Sequence, residues 1–323
     1  MDSGSQNKPV DCNSILFDQM PKLACIPEIL RKLLVFWLRW LINEDRINAF
    51  LHKNKLVKDF DFIDQVLLHL KTDYVVSPSD LLNIPAKGRV IIVANHPLGG
   101  LDGLILLRLV SRVRPDVRIV VNELLMHIKQ LKNICLPVTV IGGVSKKAQI
   151  IQIRAVLNND HAIIIFPSGE VGRAGLRGIW DRKWLTGFIQ LAQTTGSPVL
   201  PVHINARNSL LFYLVALISQ PLSMLMLPRE MFGFRRPIKF TIGQPINIKT
   251  ITNASLSKKK LASLVQEHLW RVGSGKQLLF STETTIIHPK DMWVIRSELA
   301  EAEVLGTTSD NKIILLHDCL DNS

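Results

Sequence analysis

The sequence predicts an α/β domain preceded by membrane-associating helices. From Arg89 onward, short apolar runs recur at Val90–Ala94, Val117–Val121, Val138–Ile141, Ala162–Phe166, Val199–Ile204 and Ile238–Ile242. Helical patterns lie between several of them, among them Lys146–Leu157 and Trp184–Thr194, and strands alternating with helices indicate α/β architecture. Upstream, Leu30–Ile42 is strongly apolar, with Arg31, Lys32 and Arg39 spaced along it. Its Trp37 and Trp40 suit a lipid headgroup boundary, although the same run would also serve as a core helix.

Taken in order, residues 1–27 read as loosely ordered, and Met1–Pro9 is polar, without the apolar core of a signal peptide. After Leu30–Ile42, a second helical pattern runs through Phe62, Val66, Leu67 and Leu70. Residues 1–75 therefore form an N-terminal helical, membrane-associating region. Residues 76–275 hold the α/β domain, closed by a helix within Ile251–Arg271 that starts near Ser255. Past Gly273 and Gly275 the composition turns acidic, with three basic and eight acidic residues from Ser281 to Ser323, so 276–323 is a separate tail. No internal repeat is visible.

The composition bounds the partners. Hydrophobic residues make up 47% of the 323, enough for one large core or two small domains. Yet no window reaches the roughly twenty clean apolar residues that cross a bilayer. Leu210–Leu227 comes nearest and is interrupted by Ser219, Gln220, Pro221 and Ser223, so it reads as interfacial or half-buried. The net charge of +12 is uneven: nine basic residues and one acidic one, Glu230, lie between Arg207 and Lys260, beside this most apolar stretch. Apolar plus basic suits an anionic membrane surface better than nucleic acid, and two tyrosines argue against aromatic base-stacking platforms. An ordinary solvated basic face is the alternative. Cys12, Cys25, Cys135 and Cys319 lie far apart without metal-ligand spacing, which fits a reduced, cytosolic setting. His127, His161 and His203 are scattered and read as structural or surface residues, leaving no metal cluster.

The chemistry concentrates in residues 89–103. An apolar, β-branched run ends in Asn95-His96-Pro97, Gly99 and Gly100 follow, then Asp102 and the helical run Leu104–Val110. On a straight helix His96 and Asp102 would stand about 9 Å apart along the axis. Pro97 and the glycine pair favour a turn instead, with a helix starting near Asp102, which folds the carboxylate back toward the imidazole. A carboxylate at a helix start is favoured in its ionised form, and it would hold one histidine nitrogen while leaving the other to accept a proton. Such a pair activates a hydroxyl or amine against an ester or thioester. A capping Asp beside an unrelated His is the plain alternative. No Gly-x-Ser-x-Gly elbow occurs, and Gly99-Gly100-x-x-Gly103 lacks the Gly-x-Gly-x-x-Gly spacing of a dinucleotide turn.

Asn95-His96 with Asp102 resembles the first motif of the glycerolipid (lysophospholipid) acyltransferase-like family. Five residues separate His96 from Asp102. Most members have four, and some branches, including the tafazzins, have five. His-Pro-Leu-Gly-Gly-Leu-Asp-Gly resembles a bacterial hemolysin-like branch linked to ornithine-lipid and related aminolipid synthesis. Asn122-Glu123-Leu124-Leu125 with Leu136-Pro137-Val138 resembles the second block, Phe166-Pro167-Ser168-Gly169-Glu170 the third, and Val199-Leu200-Pro201-Val202 the fourth. The likeness spans roughly residues 75–250 and continues through Asn208–Tyr213 to Ile242–Ile246. The third block departs from the common Phe-Pro-Glu-Gly-Thr: Ser168 replaces Glu and Glu170 replaces Thr.

The resemblance implies a central mixed sheet flanked by helices and an O-acyltransferase that needs no cofactor. Its co-substrate would be acyl-acyl carrier protein or acyl-CoA, and its acceptor a lysolipid hydroxyl. His96 would be the general base, Asp102 would orient it, and donors at the start of the following helix would stabilise the oxyanion. Substrate contacts are expected from Asn95, Gly99, Gly100, Pro167, Ser168, Gly169, Glu170, Arg173 and Pro201. Glu170, with Arg173 and Arg177 nearby, would suit an acceptor carrying an amine and a carboxylate, such as a lyso-ornithine lipid. The implied partners are membrane lipids, and the implied location is the cytoplasmic face of the bacterial inner membrane, peripheral or monotopic. The alternatives are a 1-acylglycerol-3-phosphate acyltransferase of phospholipid synthesis and a catalytically silent lipid-binding homologue. The tail around Asp291–Asp318 resembles the start of a second acyltransferase-like domain, of the N-acetyltransferase superfamily. A helix and strand packing on the main domain is the other reading.

Overall fold

The computed structural model describes residues 11, 27–138, 146–175, 178–234, 236–251, 256–276, 280 and 313–315. Helices α1 (Glu28–Ile42), α2 (Glu44–Lys53) and α3 (Asp59–Leu70) come first, then β1 (Tyr74–Val76), α4 (Pro78–Leu81), β2 (Val90–Ala94), α5 (Gly100–Ser111) and β3 (Arg118–Asn122). Two 3-10 turns lead to β4 (Cys135–Val138), α6 (Lys146–Asn158) and β5 (Ala162–Ile165). A hairpin of β6 (Arg173–Gly175) and β7 (Gly178–Trp180) precedes α7 (Gly187–Thr195), β8 (Val199–Asn205), α8 (Leu210–Ile218) and α9 (Gln220–Gly233). The chain continues through β9 (Ile238–Ile242), α10 (Ile248–Ile251), α11 (Lys258–Ser274) and β10 (Ile313–Leu315).

Eight strands form one mixed sheet in the order β10-β1-β9-β8-β2-β5-β3-β4. β2 lies between β5 and β8 and is parallel to both. All five of its residues are buried, as a strand covered on both faces requires. Val90, Ile92 and Ala94 face one core with Phe62, Ile63 and Leu67 of α3 and Ile105 and Leu106 of α5. Ile91 and Val93 face the other, with Phe188 and Ile189 of α7 and Leu261 and Val265 of α11. The C-terminal end of β2 is thus gripped from both sides, a rigid place from which to hang reactive groups.

Several expectations shift. The strand expected at Val138–Ile141 is β4, Cys135–Val138, while 139–141 lie outside the described residues. Thr139-Val140-Ile141 carries the β-branched signal, whereas Pro137 reads against a strand. β4 is an edge strand, however, where a missing N–H breaks no inner ladder. α11 begins at Lys258 and is capped by Ser257, whose Oγ accepts the Lys260 N–H; Ser255 lies outside the described residues. α7 begins at Gly187, leaving Trp184 in the loop before it. The boundary at residue 75 does not divide two cores: α3 packs into the sheet's own core, and Arg108 of α5 grips Asp64 of α3 through two bonds of 2.6 and 2.8 Å. The tail's apolar run adds β10 antiparallel to β1. Cys135 is buried and free; the other cysteines lie outside the described residues.

Leu30–Ile42 is a helix with one buried strip and one exposed apolar strip. Val35, Leu38 and Leu41 of α1 are buried, while Ile29, Leu30, Leu33, Phe36, Trp37 and Trp40 are exposed. Leu210–Leu227 is two helices broken at Ser219, and Leu210, Leu211, Leu214, Leu217 and Ile218 of α8 are exposed. α9 packs against both α1 and α8, and its Arg229 guanidinium lies 4.4 Å over the Trp40 ring. Among the described residues, no helix is long and apolar enough to cross a membrane.

Candidate active site

His96 stands just beyond β2, where the backbone turns through Gly99 into α5. Gly99 adopts φ 81°, the left-handed region that favours glycine. Asp102 falls in the first turn of α5 and is fully buried. One carboxylate oxygen accepts the Leu98 N–H at 2.7 Å, which locks the turn. The other lies 2.9 Å from His96 Nδ1. That separation is an ion-pair distance, although the approach is angled away from hydrogen-bond geometry. The two atoms are buried and no other hydrogen-bond partner reaches either of them, so each is the other's partner. The imidazole stacks on Phe166 at the end of β5, with centroids 4.1 Å apart, and its side chain stays 20% exposed. With Nδ1 turned to the carboxylate, Nε2 is left for a substrate proton.

Burial opposes charge on His96, but the Asp102 carboxylate, joined by the charge of Asp181, outweighs it, and the histidine's pKa lies above its ordinary value. Asp181 follows β7. Its Oδ1 accepts the His96 backbone N–H at 3.2 Å, and its Oδ2 accepts the Trp184 indole N–H at 3.1 Å. Burial pushes its carboxyl up to about 6 against those two hydrogen bonds. Asn208, beyond β8, donates its side-chain amide to the Pro97 carbonyl at 3.0 Å and its backbone N–H to the Tyr213 hydroxyl at 3.2 Å. Neither Asp181 nor Asn208 stands among the expected site residues. Asn208 falls in a stretch that resembles the family, whereas Asp181 carries no sequence signal.

The other expected contacts divide by what their side chains touch. The Asn95 side chain is a clamp: its amide donates to the Ile204 carbonyl at 2.8 Å and accepts the Ile204 N–H at 2.7 Å, tying β2 to β8. Pro201 is also a structural part of the sheet. It lies buried inside β8, pairs with Val93, and its carbonyl accepts the Gly243 N–H at 2.9 Å. Gly99 makes room for α9, since a Cβ there would meet Leu227 at 3.0 Å, whereas one at Gly100 would make only an ordinary contact with Met231 at 3.6 Å. Pro167 is buried and accepts the Leu185 N–H; Gly169 closes a turn by donating to the Phe166 carbonyl. Ser168 donates its hydroxyl to the Glu170 carbonyl at 2.8 Å, so it shapes its own loop. Glu170 pairs with Arg173 at 2.9 Å and Arg182 at 2.6 Å and also bonds Gln220 of α9. It is therefore not a free carboxylate awaiting an amine. The guanidinium groups of Arg173 and Arg182 remain 42% and 59% exposed. Arg177 lies outside the described residues.

His203 is buried, with an aromatic contact to Trp270, and burial pushes its pKa down to about 4, which fits a structural histidine. Among the described residues, no group of three or more His, Cys, Asp or Glu side chains could hold a metal ion.

A strand end that presents a histidine backed by a buried carboxylate, open to solvent on one side, has the parts of a general base. The chain belongs to the acyltransferase family, whose sequence model matches residues 15–271. It is 30% identical over 271 residues to a lyso-glycine lipid O-acyltransferase of Bacteroides thetaiotaomicron, covering 81% of this chain and 97% of the relative. It is 33% identical over 227 residues to a lyso-glycine lipid O-acyltransferase of Phocaeicola vulgatus, covering 68% and 80%. Among solved structures it is similar to the 1-acyl-sn-glycerophosphate acyltransferase PlsC of Thermotoga maritima, at 19% identity and a TM-score of 0.45, over 78% of this chain and 99% of that one.

Proposed function

We propose that this lipid O-acyltransferase moves a fatty acyl group from a thioester, acyl-acyl carrier protein or acyl-CoA, to the hydroxyl of a lysolipid with an amino-acid headgroup. The observation that carries the reading is the His96–Asp102 pair at the end of β2. His96 Nε2 takes the proton of the acceptor hydroxyl as its oxygen attacks the thioester carbonyl. The tetrahedral oxyanion forms beside the start of α5, where the positive end of the helix dipole favours negative charge. Collapse breaks the carbon–sulfur bond, and the imidazolium returns its proton to the leaving thiolate. Asp102 stabilises the imidazolium and keeps Nε2 unprotonated in the resting enzyme.

Two relatives named for a lyso-glycine lipid support the headgroup class. Glycine lipid is therefore the first acceptor to test, ahead of lyso-ornithine lipid. The exposed apolar faces of α1 and α8, with Arg229 beside Trp40, support peripheral attachment to an anionic, cytoplasmic membrane surface. Transfer of a radiolabelled acyl group to lyso-glycine lipid, lyso-ornithine lipid and lysophosphatidate decides the acceptor. Faster turnover of the amino-acid lipids supports the proposal. Equal or faster turnover of lysophosphatidate overturns the headgroup assignment, and transfer to none of them, with lipid binding retained, overturns catalysis.

A further inference from the structure

We propose that Asp181 is a positioning residue for the base: together with Gly172 it holds both backbone polar groups of His96, and it sets a second carboxylate behind the imidazole. This rests on the reading of His96 as the general base. The His96 N–H donates to Asp181 Oδ1 at 3.2 Å, while the His96 carbonyl accepts the Gly172 N–H at 2.9 Å. Gly172 immediately precedes β6 and Asp181 immediately follows β7. The two feet of one hairpin therefore grip the residue on which proton transfer depends.

The hairpin is itself anchored. β6 and β7 pair antiparallel from Arg173↔Trp180 to Gly175↔Gly178. Trp180 packs on Trp270 of α11, with ring centroids 4.8 Å apart. The Trp184 indole fixes the free oxygen of Asp181. Gly172 has little room for a side chain, because a Cβ there would meet Ile179 at 3.2 Å, beside Asp181 Oδ1 at 3.5 Å. A hydrogen-bond acceptor alone would satisfy the His96 N–H, so an asparagine would suffice for the clamp. A carboxylate adds charge, which favours the imidazolium formed as the acceptor hydroxyl loses its proton.

The charged groups acting on His96 are Asp102 from α5 and Asp181 from the hairpin. Those acting on Asp181 are His96 and Asp102. Glu170, Arg173 and Arg182, from the loop and hairpin packed on His96, form an ion cluster among themselves. Asp181 is thus the charge that the hairpin supplies to the base.

The test uses the full chain carrying Asp181→Asn with Trp184→Phe, the second change removing an indole N–H that would otherwise face the new amide. The readouts are the pH profile of kcat/KM for acyl transfer and an NMR titration of the His96 imidazole. We expect kcat to fall about 3- to 30-fold, a fraction of what a general base contributes, with the acid limb and the imidazole titration both moving to lower pH. A folded double variant with an unmoved limb and kcat within about twofold of wild type overturns the proposal. If the double variant does not fold, Trp184→Phe alone decides. Losing the indole bond raises the Asp181 pKa, so more of its carboxyl is neutral as His96 titrates and the acid limb should move to lower pH, with turnover at about pH 8 unchanged; an unchanged profile overturns the proposal. Full turnover by His96→Ala would instead overturn the base assignment, a separate failure.

Discussion

Substituting Asp102 by Asn removes one buried charge and leaves the turn almost isosteric. The Leu98 N–H, 2.7 Å from one carboxylate oxygen, can still be accepted by the asparagine carbonyl. That orientation points the new NH2 group at His96 Nδ1, which then has to act as acceptor. The ring proton moves to Nε2, where the acceptor's proton should arrive. The lost attraction between imidazolium and carboxylate is roughly 4 kcal/mol for unit charges about 4 Å apart at an effective dielectric of about 20. At 1.36 kcal/mol per decade this is about a thousandfold in kcat/KM. Folding stability should fall only by about 1 kcal/mol, the difference between a charge-assisted and a neutral hydrogen bond. The pH signs follow. His96 is raised above its ordinary value, so its protonated form stabilises the fold below about pH 6.5, and that contribution is lost as pH rises through the raised value. In Asp102→Asn both this stability term and the acid limb of residual activity should drop to lower pH. The assay is steady-state acyl transfer in mixed micelles across pH, with thermal unfolding by circular dichroism. Activity within about threefold of wild type and an unmoved acid limb would refute the assignment of Asp102.

Other outcomes follow from the same contacts. Asn95→Ala orphans the N–H and carbonyl of Ile204, at about 1–3 kcal/mol each, so chemical denaturation should show a loss of about 2–6 kcal/mol. Gly99→Ala forces a left-handed alanine against Leu227 and should cost about 2 kcal/mol or more, lowering the melting temperature and displacing His96 enough to slow turnover. Leu214→Glu with Leu217→Glu, at positions 59% and 75% exposed, should leave the melting temperature unchanged. Sedimentation with anionic vesicles should show binding weakened at least about a hundredfold, from roughly 1.5–3 kcal/mol lost per leucine; unaltered binding would remove α8 from the membrane face. The Cys135 thiol, pushed up to about 12 by burial, should resist alkylation at about pH 8 until the protein unfolds, as peptide mapping by mass spectrometry would show.

The heart of the site was legible because it is local. A β-branched run, a proline, two glycines and an aspartate at a helix start occupy consecutive positions, and each constrains its neighbours. What lay across the fold was not legible. Asp181 meets His96 from 85 positions away, over a hairpin with three residues in each strand, too short to signal by periodicity. Asn95 and Pro201 sit where the motifs say they should, but a motif does not reveal that one amide ties strands together or that the proline ring lies inside the sheet. Glu170 was legible as a carboxylate near arginines, yet pairing with Arg182 depends on the hairpin bringing two loops together. The exposed faces of α1 and α8 fall between these cases: their apolar character is plain in sequence, while which strip packs depends on α9.

The central claim is that His96 accepts the proton of a lysolipid hydroxyl. Its most direct test is single-turnover transfer from a radiolabelled acyl thioester to lyso-glycine lipid by wild type and His96→Ala, each shown to be folded and to bind the acceptor equally. Wild type should give a labelled diacyl product, and His96→Ala a rate lower by about 10²–10⁴. Near wild-type turnover by His96→Ala would contradict the claim.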